Sequence, residues 1–206
     1  MEKTFTEKDS LNLINEMILQ ARNNFRKDSA TAIIVSGYSV AAVAILNFVL
    51  LHVIEPSYLS FHVWWLMIIL WLVTIYINHS KDKQTLVKTH IDRIISNVWR
   101  GFALSVVVLM ATIFGIAFAT NNWSIALGIT PAILILTGFA QYITGIVCRF
   151  RPYVSGGCVF WLGALATVGS YFLNMAELQF IILAVCMILG FVVPGHLINK
   201  KAKENV

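Results

Sequence analysis

Thr137, Gln141, Thr144 and Cys148 are spaced at four, three and four residues, so one face of a helix carries them all. Hydroxyls, an amide and a thiol in such a row can hydrogen-bond a neutral solute or a neighbouring helix, but they supply no general acid or base. Asn47, with Ser36 and Ser39 roughly on its face, forms a second polar group. Arg149 and Arg151 close the first row, and two guanidiniums so placed suit a lipid phosphate or another anion. The residue types favour plainer roles: internal hydrogen bonding for the amides and topology signalling for the arginines.

Other reactive side chains form no recognisable centre. The histidines, His52, His62, His79, His90 and His196, include no pair at metal or haem spacing on one helix. Cys148, Cys158 and Cys186 form no CxxC pair and read as small packing residues. No GxSxG, HExxH, P-loop or GxGxxG motif occurs. We therefore expect no cofactor, no bound metal and no enzymatic activity.

The elements that must carry these residues are apolar. The chain of 206 residues is 58% hydrophobic and only 12% charged, where a soluble domain carries about 25% charge. Long uncharged runs alternate with short polar breaks, the distribution expected when the solvent is lipid. Segments of about 30–53, 61–77, 101–118, 125–147, 154–173 and 178–198 are each near the length needed to cross a bilayer. None contains Asp, Glu, Lys or Arg, so proton-coupled transport and intramembrane proteolysis by an Asp dyad lose support. Continuous rather than alternating apolarity argues for helices over barrel strands. The expected fold is all-α: a polytopic six-transmembrane-helix bundle. Glu55-Pro56-Ser57, Asn121-Asn122, Arg151-Pro152 and Asn174 supply turn chemistry between spans. Pro131 is expected to kink the fourth span, and Pro194-Gly195 to distort or end the sixth.

Charge fixes the expected sidedness. All 15 Lys and Arg residues lie before the first span, between the second and third, between the fourth and fifth, or after the sixth. The opposite loops carry only Glu55 and Glu177 as charged residues. By the positive-inside rule both termini are cytoplasmic. Trp64, Trp65, Trp123, Tyr58 and Tyr171 fall near the outer boundary, and Trp99, Tyr76, Tyr142 and Tyr153 near the inner one, as interfacial belts do. The charged first 29 residues contain no apolar stretch of the kind a cleavable signal needs.

Two cytoplasmic amphipathic helices are expected. Within segment 1–29, a helix over about 7–27 carries Leu11, Ile14, Met17, Ile18, Ala21 and Phe25 at helical spacing, and Thr6 with Asp9 resembles a capping box. The second, about 84–99, carries Val87, Ile91, Ile94, Ile95 and Val98. Either could lie on the membrane face, extend the span that follows, or dock a soluble partner; their mixed charge suits protein contact. Residues 199–206 read as a basic cytoplasmic tail. The pI near 9.2 does not point to nucleic acid, because the basic residues sit in loops flanking the spans.

Small residues offer packing faces: Gly156, Gly163 and Ser170 with Ala166 in the fifth span, Gly138 and Gly145 in the fourth, and Gly37, Ala41 and Ala44 in the first. They suit packing within the bundle, and a homo-oligomer would use the same chemistry. Basic, aromatic-containing stretches precede each odd-numbered span, at Asn24-Phe25-Arg26, Val98-Trp99-Arg100 and Arg149-Phe150-Arg151. Repeated hairpins or simple boundary anchoring would both produce that pattern.

The stretch from Thr144 through Cys148-Arg149-Phe150-Arg151-Pro152 to Gly156-Gly157 and Phe160-Trp161 resembles a family of small bacterial inner-membrane proteins with several helices and no assigned activity. The resemblance implies a bacterial plasma-membrane location and brings no catalytic residue. The expected function is a non-enzymatic membrane module, embedded in the lipid bilayer, that couples to cytoplasmic protein partners. The alternative is a small transporter or channel for a neutral solute or a lipid, using the polar rows.

Overall fold

The computed structural model of the chain describes residues 31, 33–55, 57–69, 72 and 90–204. Among them all regular structure is helical. Helix α1 spans Ile33–Val53, and the shorter apolar α2, Leu59–Ile69, opens as a 3-10 coil over Ser57–Trp64. Then follow α3 (His90–Thr120), α4 (Ile129–Val147), α5 (Arg151–Phe172), α6 (Leu178–Met187) and α7 (Val193–Glu204). A 3-10 turn, Trp123–Gly128, leads into α4. A π-turn, Ile188–Val192, joins α6 to α7 with no break in the helix.

Five stretches are long and apolar enough to cross a membrane: Ile33–Val53, Arg93–Thr120, Trp123–Val147, Arg151–Phe172 and Leu178–Lys200. They coincide with the first, third, fourth, fifth and sixth expected spans. By length and composition the chain is a multi-pass helical membrane protein. Of the expected second span, 61–77, only the part within α2 and residue 72 is described; the rest lies outside the described residues, as do the expected helix over 1–29 and residues 84–89.

From His90 onward the second amphipathic stretch extends the span that follows, one of the arrangements expected for it. α3 passes through Trp99, Arg100 and Gly101 without a turn, so its 31 residues extend about 46 Å, well beyond the roughly 30 Å of hydrocarbon. A lone glycine weakens a helix by only about 1 kcal/mol, too little to end one with strong formers on both sides.

Three helices end in one kind of turn. Asn121, Arg149 and Asn174 have φ of 50°, 50° and 57°. The N–H after each reaches back five residues: Asn122 to Ala117, Phe150 to Gly145 and Met175 to Ser170. These are Schellman closures, which satisfy carbonyls that have no intrahelical donor. Asn tolerates the left-handed region because its short side chain can bond locally, and Arg149 enters it without that help.

Of the two prolines, Pro131 departs from expectation, and Pro194 distorts its span without ending it. Pro131 lies in the first turn of α4, where no intrahelical N–H is needed, and so it starts the helix instead of kinking it. Pro194 does not end the sixth span, since α7 continues to Glu204, through most of the stretch read as a tail. Its effect falls one turn earlier, in the π-turn.

α6 and the π-turn form the centre. Over half of the Leu178–Lys200 apolar window is buried, 56%, against 11% for α3. The core gathers Ala41 and Ala44 of α1, Leu134 of α4, Phe160 and Ala164 of α5, and Phe180, Leu183, Met187 and Phe191 of the central stretch. α5 makes close approaches on two sides. A methyl at Gly157 would meet the Gly138 carbonyl oxygen of α4 at 2.8 Å, and one at Gly156 would meet the Gly190 carbonyl oxygen at 2.5 Å. Adjacent glycines thus let α5 touch two helices backbone to backbone.

Candidate polar interior and the arginines of the α4–α5 turn

Thr137, Gln141 and Thr144 all point into the bundle, with exposures of 5%, 0% and 3%. Each threonine hydroxyl donates to a carbonyl of its own helix: Thr137 to Ile133 and Thr144 to Ala140, both at 2.7 Å. Such back-bonding satisfies the hydroxyl locally and leaves no donor for a ligand. Cys148, the last of the row, is half-buried at the helix end.

Gln141 is different. Its Nε2 donates across the helix interface to the Gly190 carbonyl oxygen at 3.3 Å. Gly190 stands four residues before Pro194, and proline has no N–H to offer the carbonyl one turn back. A backbone carbonyl left unpaired in the bundle interior is costly, and a neighbouring helix must supply the donor. The site is completed sterically by Phe160, which lies against Gly190 where any side chain would clash. Gln141 Oε1 is buried and has no partner among the described residues.

Asn47, also fully buried, sits in a separate cluster. The surroundings assign its amide orientation: the oxygen accepts from Trp64 Nε1 at 2.9 Å, and the nitrogen donates to the Ser60 carbonyl at 3.1 Å and hydroxyl at 3.2 Å. Asn47 therefore clamps α1 to the start of α2. The two interior amides share no partner, so the described residues do not join them into one polar chamber. The surface groove of about 470 Å³ between α3 and α4 is lined by Leu104, Ser105, Val108, Leu109, Thr112 and Leu136, none of them a member of either polar group.

Gln179 escaped the sequence reading, and so did its link to Thr130 and Tyr171. At the end of α4 opposite Arg149, Thr130 (2.7 Å) and Tyr171 (3.0 Å) both approach Gln179 Oε1, and the Tyr171 hydroxyl also donates to the Leu127 carbonyl at 2.7 Å. This network ties α4, α5 and α6 together. Their pairing could not be inferred because the three lie in different spans. Nearby, His52 Nδ1 donates to the Phe48 carbonyl at 2.9 Å, while its Nε2 lies 3.8 Å from Glu177 Oε2. Among the described residues, no group of three metal-ligating side chains converges.

Arg149 and Arg151 flank Phe150 at the α4–α5 turn, both exposed. No described acidic residue pairs with either. Phe150 is the N-cap of α5 without a side-chain capping bond, and its ring meets Tyr153 edge-on, with centroids 5.3 Å apart. Tyr153 is 2% exposed and packs on Ile198 of α7 and Ile33 of α1. Its hydroxyl and Asn199 Oδ1 are buried with no hydrogen-bond partner among the described residues.

No family model, curated protein or solved structure matches this chain. The functional reading therefore rests on the geometry above.

Proposed function

We propose that the protein is a non-enzymatic, six-span membrane module with both termini in the cytoplasm, which couples to soluble partners through segments 1–29 and 84–99. The supporting observation is how the polar row of α4 is used. Two hydroxyls bond their own helix, and the amide donor bonds a carbonyl of the central helix. Polar groups so engaged serve as glue between helices. The α3 extension from His90 supports the coupling role, because it carries part of the second amphipathic face beyond hydrocarbon depth. The complete positive-inside partition supports the sidedness. The resemblance of the stretch around Arg149-Phe150-Arg151-Pro152 supports a bacterial inner membrane.

Cross-linking in intact cells, followed by capture of the full chain and of a chain lacking residues 1–27, tests the coupling. The proposal expects the deletion to insert normally and to lose specific cytoplasmic partners. An identical partner set from both would contradict it.

One observation favours a second reading, a small transporter of a neutral solute. Gln141 Oε1 is an unpartnered acceptor beside a π-turn in mid-span, and helix irregularities are where transporters place binding sites. Solute uptake by vesicles that falls with Gln141→Leu would support that reading; uptake indifferent to the change would remove it.

A further inference from the structure

We propose that the inner-boundary junction of α1, the α4–α5 turn and α7 binds an anionic phosphoglycerol headgroup, its phosphate on Arg149 and Arg151 and a hydroxyl between Tyr153 and Asn199. The argument begins with the two buried polar atoms. Among the described residues, Tyr153 Oη carries a proton with no acceptor, and Asn199 Oδ1 is an acceptor with no donor. Tyr153 shares a buried cluster with Ile198, the residue that precedes Asn199 in α7. A single hydroxyl can accept from a phenol and donate to an amide oxygen, so one alcohol group would satisfy both.

The charge beside them selects what carries that hydroxyl. Tyr153 lies edge-on to Phe150, and Phe150 lies between the two arginines in the chain. No described acidic residue neutralises either guanidinium. The start of α5 adds backbone N–H groups with no side-chain cap and the positive end of the helix dipole. Guanidinium is the side chain best matched to phosphate oxygens. A phosphate with an attached polyol joins these requirements in one molecule; a choline headgroup has the phosphate but offers neither the hydroxyl nor a net negative charge. A lipid headgroup and a free glycerol phosphate present the same chemistry.

The inference rests on the membrane assignment in the reading above and not on the coupling of segments 1–29 and 84–99. Purified full-length protein in neutral detergent is titrated with short-chain phosphatidylglycerol, short-chain phosphatidylcholine and glycerol 3-phosphate, and occupancy is read by native mass spectrometry. We expect saturable binding of phosphatidylglycerol, roughly tenfold tighter than of phosphatidylcholine, and a loss of roughly tenfold in each of Arg149→Gln and Tyr153→Phe. Tyr153→Phe keeps the ring and its packing, so it reports on the hydroxyl alone. Arg93→Gln, a cation elsewhere on the same boundary, should bind as the unaltered protein does. Glycerol 3-phosphate that competes with the lipid would assign recognition to the headgroup; failure to compete with lipid binding intact would assign the acyl chains a share. Equal binding of both lipids, or equal loss in Arg93→Gln, would overturn the proposal. Partner capture measured on the same variants keeps the two ideas apart: lost lipid binding with unchanged partners, or the reverse, condemns only one.

Discussion

The side-chain nitrogen of Gln141 lies 3.3 Å from the carbonyl oxygen of Gly190, in a bundle interior where both residues are buried. That carbonyl is the one Pro194 cannot serve. The π-turn at Ile188–Val192 and the donor on α4 are therefore two parts of one local solution to a proline in a transmembrane helix. The glycine is required for a second reason. Phe160 occupies the space that a side chain at position 190 would need.

The α4–α5 interface depends on the absence of side chains at specific points. Gly157→Ala would set a methyl 2.8 Å from the Gly138 carbonyl oxygen and 2.9 Å from Tyr142 Cβ. We expect it to destabilise by about 1–3 kcal/mol, since backbone cannot give way cheaply. Gly169→Ala meets nothing within 4 Å and should be neutral or stabilising by up to about 1 kcal/mol. Reversible unfolding in mixed micelles compares the two.

Asn47→Leu should loosen the start of α2. It removes the acceptor of Trp64 Nε1 and the donor to Ser60, which is expected to cost about 1–2 kcal/mol. The emission spectrum of Trp64, read in a variant lacking the other tryptophans, should shift as the indole N–H loses its partner. An unchanged spectrum and stability would mean that the clamp is not formed.

Sidedness can be read with single cysteines placed in a cysteine-free background. Ser124→Cys, in the turn before α4, should react with a membrane-impermeant maleimide added outside intact cells. Lys200→Cys, near the end of α7, should react only after the membrane is opened. The opposite pattern would invert the assigned orientation.

The contact between His52 and Glu177 is long, 3.8 Å, and both side chains are about half exposed, at 51% and 49%. Pairs of this kind contribute about 0–1 kcal/mol. Glu177→Gln is therefore expected to leave the melting temperature within about 2 °C, a small shift on the usual scale for a domain of this size. A larger loss would show that the loops carrying His52 and Glu177 are held more tightly than the geometry implies.

Helical architecture and span positions were legible because lipid imposes one requirement on every residue of a span. Apolar length alone places α1, α3, α4, α5 and α6–α7. Burial of Asn47, Thr137, Gln141 and Thr144 followed from the same argument, since amides and hydroxyls are not left facing hydrocarbon. Their partners were not legible. Ser60, Trp64 and Gly190 are brought to them by tertiary packing, and no local rule selects among several small residues. One partner did leave a trace: a proline at 194 marks the carbonyl at 190 as needing a donor, and Gln141 is the amide of the fourth span. That the second amphipathic stretch could extend the third span was legible, but the choice of this arrangement over a separate helix was not, because helix continuity through Arg100 and Gly101 depends on summed propensity. Tyr153 and Asn199 were hidden because unpartnered atoms are properties of packing and not of residue type.

The claim on which the account depends is that the amide of α4 works as glue for the helix that Pro194 distorts. A double-mutant cycle of Gln141→Leu and Pro194→Ala, with unfolding free energies measured in bilayer-like micelles, tests it most directly. Restoring the N–H at 194 should relieve the need for the amide, so Gln141→Leu should cost about 1 kcal/mol less in the Pro194→Ala background than alone. Additive effects, with coupling near zero, would contradict the account.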